Sequence, residues 1–163
     1  VDQLKNLVYS INTNAHSRRL VVSAWAPHEL DEMALPPCHY AFQVYINNGV
    51  MDLMWQQRSA DVFLGLPYDI AMYGLLLEML AKGAELKAGQ LIGQLGDCHL
   101  YNNHLDQAKE FRRRHNPKLP QLELDSGIFL SISNDLYIPE SNKIKLINYN
   151  PLSAIKAELS VGK

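Results

Sequence analysis

The sequence predicts one domain that mixes helices with strands, on three observations. Cys38 to Ile46 alternates apolar and polar residues, turns at Asn47-Asn48-Gly49 and returns through Val50 to Gln57. Pro67 then opens a long helical run, Tyr68 to about Lys82, with Gly83 near its end. Short strand-like runs bounded by turn formers lie on both sides of these elements.

In chain order, Leu4, Leu7, Val8 and Ile11 recur at helical spacing, which predicts a helix over about Asp2 to Ile11. Asn12 to Ser17 supplies turn formers that end it. Leu20 to Trp25 is a short β-rich run stopped by Pro27. After the hairpin and the long helix, Gly89 to Gly96 reads as a short strand. Asn102 to about Arg114 reads as a helix with Arg112, Arg113 and Arg114 in its last turn, stopped by Pro117 and Pro120. Residues 125–142 read as a loop or a poorly formed hairpin. Three more short strands are expected at Gln121–Leu124, Lys143–Ile147 and Ile155–Val161.

Composition narrows the function. The 163 residues fit one domain by length. Hydrophobic residues make up 47% and charged residues 20%, the balance of a core-forming protein. A net charge of −2 and a pI near 6.3 give no electrostatic footing for a nucleic-acid groove. No apolar run reaches the ~18 residues of a membrane span. The two cysteines, Cys38 and Cys98, stand outside any CxxC or His/Cys cluster, so no metal site is expected. Both thiols are expected free in a reducing cytoplasm. The chain opens with Val1-Asp2 directly into an amphipathic pattern, so sequence ahead of Val1 is expected.

The chemistry centres on Cys38-His39, set after Pro36-Pro37. A cysteine attacks as its thiolate, and a nearby arginine favours that form. The same arginine can grip a phosphate through two parallel hydrogen bonds. Downstream stand Gln57-Arg58-Ser59-Ala60-Asp61 and Gly96-Asp97-Cys98-His99-Leu100-Tyr101, whose Asp, His and Tyr suit contacts to a sugar and a base. The set reads as a covalent enzyme for a phosphorylated small molecule.

These blocks, with Ser17-Arg18-Arg19, Leu64-Gly65-Leu66-Pro67 and Ile155-Lys156, resemble the C-terminal two-thirds of thymidylate synthase and the related pyrimidine hydroxymethylases. The resemblance implies an α+β fold: a large mixed sheet packed with helices, set sheet-to-sheet in a homodimer with shared active sites. It implies that Cys38 adds to C6 of a pyrimidine deoxynucleoside monophosphate. Arg58, Ser59 and Gln57 would contact the nucleotide, and Arg58 also the sulfur. Arg18 and Arg19 would reach the partner's nucleotide phosphate, and His99 and Tyr101 the sugar 3′-hydroxyl. Asp61 would lie near the base and the folate, with Gly65 beside it, and His39 beside the nucleophile. The one-carbon donor would be 5,10-methylene-tetrahydrofolate. Location would be cytoplasmic, in a host's cytoplasm for a phage protein. The resemblance also implies that a loop arginine, a proton-handling glutamate and a tryptophan lie outside this chain.

One departure bears on the substrate. The uridylate-specific members carry Asn where this chain has Asp69. An amide donates to uracil O4 and accepts from N3–H, whereas cytosine offers a donor at N4 and an acceptor at N3. A carboxylate opposed to O4 costs about 1–3 kcal/mol. Met72 also replaces a residue that is often Ser, one helical turn on. The expected substrate is therefore dCMP and the expected reaction C5 hydroxymethylation. Methylation of dUMP and a catalytically silent fragment are the alternatives.

Plainer readings stand beside these. Alone, Cys38 is more often a buried core cysteine, and Cys98 is expected to pack. Asp69 also suits a helix N-terminus electrostatically. Arg18-Arg19 fit a solvated turn, and Arg112 to Arg114 a solvated helix end. His16, His28, His104 and His115 are expected at the surface or in local hydrogen bonds. Trp25, Trp55, Tyr68 and Tyr73 are expected in core or dimer packing.

Overall fold

The structure is a computed structural model that describes residues 1–115, 118–125 and 141–160. Its frame is a mixed four-stranded sheet in the order β1-β2-β3-β4: Val21–Ser23, His39–Asn47, Val50–Asp61 and Lys87–His99. The first three strands are antiparallel neighbours; β4 runs parallel to β3. Parallel neighbours need a crossover, which α2 (Leu66–Gly83) provides. The α+β expectation holds, with α1 (Gln3–Thr13) and α3 (Leu105–Arg113) the other helices.

Helix α1 starts where Asp2 accepts a hydrogen bond from the Lys5 amide at 2.9 Å. It runs two residues beyond the predicted end. Asn12 and Thr13 bond back to the Val8 and Tyr9 carbonyls, each at 2.8 Å, so these turn formers stay helical. Leu7, Val8 and Ile11 bury one face. Gln3 pairs its amide with the Ser23 backbone (2.7 and 2.9 Å) and so covers the edge of β1.

Strand β1 keeps only three of the six predicted residues. The β2–β3 hairpin forms as expected, with positive φ at Asn48 and Gly49, as the tight turn requires. Phe42, Val44 and Ile46 on β2, and Met51, Leu53 and Trp55 on β3, alternate into the core beneath α1 and α2. Tyr73, Leu77, Leu80 and Ala81 are the face α2 contributes. At ~25 cal/mol per Å² of apolar area, this layer is the main source of stability.

Strands β3 and β4 exceed their predicted lengths. Ser59, Ala60 and Asp61 pair with Asp97, Cys98 and His99, a parallel register with no local signal. Close approach depends on glycine: a Cβ at Gly93 would lie 2.5 Å from the Trp55 ring. Gly93→Ala is expected to destabilise the fold by ~1–3 kcal/mol, read as an earlier denaturant midpoint. An unchanged midpoint would mean that Trp55 yields freely.

Strands β5 (Gln121–Leu124) and β6 (Ile144–Ile147) form a separate antiparallel ribbon. The predicted strand at Ile155–Val161 does not form: residues 155–160 carry no regular structure, and Val161 lies outside the described residues. The segment is held by polar contacts rather than by a ladder. Most of the predicted 125–142 loop and Pro117 also lie outside them, while residues 141–143 form a 3₁₀ turn. Another 3₁₀ turn, Asn102–His104, precedes α3 in place of the predicted helical start.

Several single-residue expectations need correction. His104 is fully buried. Cys98 is exposed, as is Met72. Arg114 is tied to the Glu110 carboxylate and the Ser153 carbonyl, unlike Arg112 and Arg113. Among the described residues no helix is long and apolar enough to cross a membrane.

Candidate active site

A cavity of about 770 Å³ opens where β2 begins and β3 and β4 end, beside the start of α2. That volume suits a nucleotide-sized ligand. On one wall Pro36 and Pro37 lead the chain to Cys38. Their carbonyls accept from Arg58, Nη2 to Pro36 at 2.7 Å and Nε to Pro37 at 3.1 Å. The pinned guanidinium places Nη2 3.9 Å from Cys38 Sγ. That contact is a long N–H···S hydrogen bond from a donor held in place by two carbonyls. The Arg58 amide also bonds the Cys38 carbonyl at 2.9 Å, which locks the two strands together. A register shift between His39 and Ala41 lies next to the nucleophile. Such bulges re-aim side chains.

The floor is a hydrogen-bonded chain. Trp55 Nε1 can only donate, and it meets Gln57 Oε1 at 3.1 Å. That turns Gln57 Nε2 toward Asp69 Oδ2 (3.0 Å) and the Ser59 carbonyl (2.9 Å). Gln57 therefore requires an acceptor from residue 69. The second oxygen, Oδ1, faces His39 Nε2 at 3.2 Å. Tyr73 lies beneath, stacked on Trp55 at 5.2 Å and 5.6 Å from the His39 ring. Burial first, and then the Asp69 charge, push the Tyr73 hydroxyl above its ordinary pKa, so it stays neutral.

Asp61 shapes the turn between β3 and α2. Its Oδ1 accepts from the amides of Phe63 (2.9 Å) and Leu64 (3.3 Å), while its carbonyl accepts from Gly65 at 3.1 Å. A Cβ on Gly65 would sit 3.1 Å from that carbonyl and 3.7 Å from Asp69 Oδ2, so glycine keeps the turn tight against the floor. On the opposite side, His99 Nδ1 lies 3.2 Å from Asp97 Oδ1, and the His99 ring meets Tyr101 edge to face at 4.9 Å.

The structure thus brings Cys38, His39, Gln57, Arg58 and Ser59 to one cavity with Asp61, Gly65, Asp69, His99 and Tyr101. Arg18 and Arg19 do not join them; both are exposed on the turn before β1. Met72, predicted to share a refitted pocket, does not line it. Leu159 and Ser160 do, which the sequence reading missed because it expected a strand there. Arg58 is the one fixed cation on the described lining, against the carboxylates of Asp61 and Asp69. No cluster of metal-ligating side chains occurs among the described residues.

A family model described as thymidylate synthase matches residues 1–161. The chain is 46% identical over 161 residues to the thymidylate synthase of Coxiella burnetii strain RSA 493, covering 99% of this chain and 59% of the relative. It is also 46% identical to the thymidylate synthase of Listeria monocytogenes serotype 4b strain F2365, covering 50% of that protein. The chain therefore spans little more than half the length of these relatives.

Proposed function

This chain belongs to the thymidylate synthase family, and on that premise we propose that it forms the nucleotide site of a folate-dependent one-carbon transferase that hydroxymethylates dCMP at C5. Asp69 carries the reading. Oδ2 is bonded to Gln57, and Oδ1, which faces His39 Nε2, is the oxygen we assign to a bound base. An oxygen there accepts from the cytosine N4 amino group, whereas an Asn at this position would turn an NH₂ toward uracil O4. Mismatched buried patterns of this kind discriminate strongly.

The residues divide the work. Cys38 Sγ adds to C6, making C5 electron-rich enough to bond the one-carbon unit. The co-substrate, 5,10-methylene-tetrahydrofolate, supplies that unit at the formaldehyde oxidation level. Loss of the C5 proton and of tetrahydrofolate leaves an exocyclic methylene group. Water adds to that carbon, Sγ leaves C6, and Arg58 stabilises the departing thiolate. In net terms, dCMP, the methylene donor and water give hydroxymethyl-dCMP and tetrahydrofolate. Arg58 and Ser59 hold the phosphate, His99 and Tyr101 the sugar, and Asp61 with Gly65 the folate side.

A phosphate dianion beside two carboxylates calls for more than one cation. The exposed Arg18 and Arg19 fit that need if two copies pair through their sheets, each serving the other's cavity. Tyr45 and Ile92 leave apolar surface exposed on the sheet. Cys38→Ala protein mixed with the Arg18→Ala/Arg19→Ala variant should recover activity that neither shows alone. No recovery would refute the shared site.

A second reading, methylation of dUMP, is favoured by the names of the relatives. The complete protein should be given the folate with dCMP or with dUMP and the product weighed. Hydroxymethyl-dCMP supports our reading; turnover of dUMP alone overturns it.

A further inference from the structure

We propose that His104 is a positioning residue that pins residues 158–160 to the cavity wall. No part of its side chain reaches solvent. Its Nε2 lies 2.7 Å from the Glu158 carbonyl oxygen. A carbonyl only accepts, so Nε2 carries the hydrogen. Among the described residues Nδ1 is buried without a partner. A fold that needed only volume here would be served better by a hydrocarbon ring, because a buried unpaired nitrogen is costly. The donor bond to Glu158 is what the imidazole adds.

The ring joins three parts of the cavity. It packs against Phe63, beside the Asp61–Gly65 turn, with centroids 5.5 Å apart. It meets Tyr101, a lining residue, at 5.8 Å. Through Glu158 it holds the segment whose Leu159 and Ser160 line the same space. The neighbouring Asn103 adds a second tie, its Oδ1 accepting from Ser160 Oγ at 2.9 Å. With no regular structure in residues 155–160, ties of this kind determine where the segment lies.

The test is hydrogen exchange on the complete protein, with turnover as a second readout that rests on the proposed activity. His104→Phe keeps the ring between Phe63 and Tyr101 but removes the donor; His104→Gln restores an amide N–H near the Nε2 position. Amides of residues 158–160 should exchange about tenfold faster in the Phe variant and return toward wild type in the Gln variant. Exchange in β2 and β3 should stay unchanged. Ser160→Ala, which removes only the tie to Asn103, should speed exchange less. Turnover should fall in the Phe variant and recover in the Gln variant. Unchanged exchange at 158–160 in both the Phe and the Ala variants would overturn the assignment. A loosened segment in a protein that turns over neither nucleotide would leave the pin intact and count against the proposed function.

Discussion

Asp69→Asn is expected to move selectivity toward dUMP by about 10²-fold in the ratio of kcat/KM values. The amide oxygen would keep the Gln57 bond, because Trp55 fixes which way Gln57 faces. The group facing the base would change from acceptor to donor. His39 can adapt by moving its ring proton to Nδ1, which leaves Nε2 to accept. The substitution is thus nearly isosteric, and stability should change little. Competition between the two nucleotides, with product masses as readout, measures the swing. If selectivity stays constant, Asp69 is a helix-terminal charge and not a reader of the base.

Cys38→Ala is expected to lower turnover by on the order of 10⁴-fold or more. Nucleotide affinity should fall much less, because Arg58 is held by the Pro36 and Pro37 carbonyls and does not depend on the sulfur for its position. Rapid-quench kinetics together with equilibrium binding separate the two quantities. A loss under tenfold would place the covalent step elsewhere. A matched loss of binding would make Cys38 a packing residue, the plainer reading that the sequence leaves open.

What the sequence reveals depends on how local each determinant is. The hairpin is legible because Asn47-Asn48-Gly49 carries its own turn chemistry. Helix α2 is legible because Pro67 and Gly83 mark its ends. The last residues of β3 are not legible, since Ser59 to Asp61 become strand only when β4 lies alongside them. Ile155 to Ser160 has strand-like residues but no strand, because the segment answers to His104 and Asn103 and not to a neighbouring strand. His104 follows two asparagines and reads as polar surface; only the fold puts Phe63 and Tyr101 around it.

The site divides the same way. Ten residues predicted from short motifs converge on one cavity because each motif sits at a strand end or a tight turn of the same sheet. Arg18 and Arg19 lie apart from it, exposed on the turn before β1. The Gln57–Asp69 bond was not legible, since it spans two elements and is oriented by the indole of Trp55. That bond turns a one-atom difference at residue 69 into a difference in hydrogen-bond sign.

A crystal structure of the complete protein with dCMP bound tests this directly. We predict Cys38 Sγ at C6 and the N4 amino group donating to Asp69 Oδ1, with the Gln57 bond to Oδ2 preserved. A bound cytosine whose N4 points to solvent, or an Asp69 rotated off the heterocycle, would contradict it.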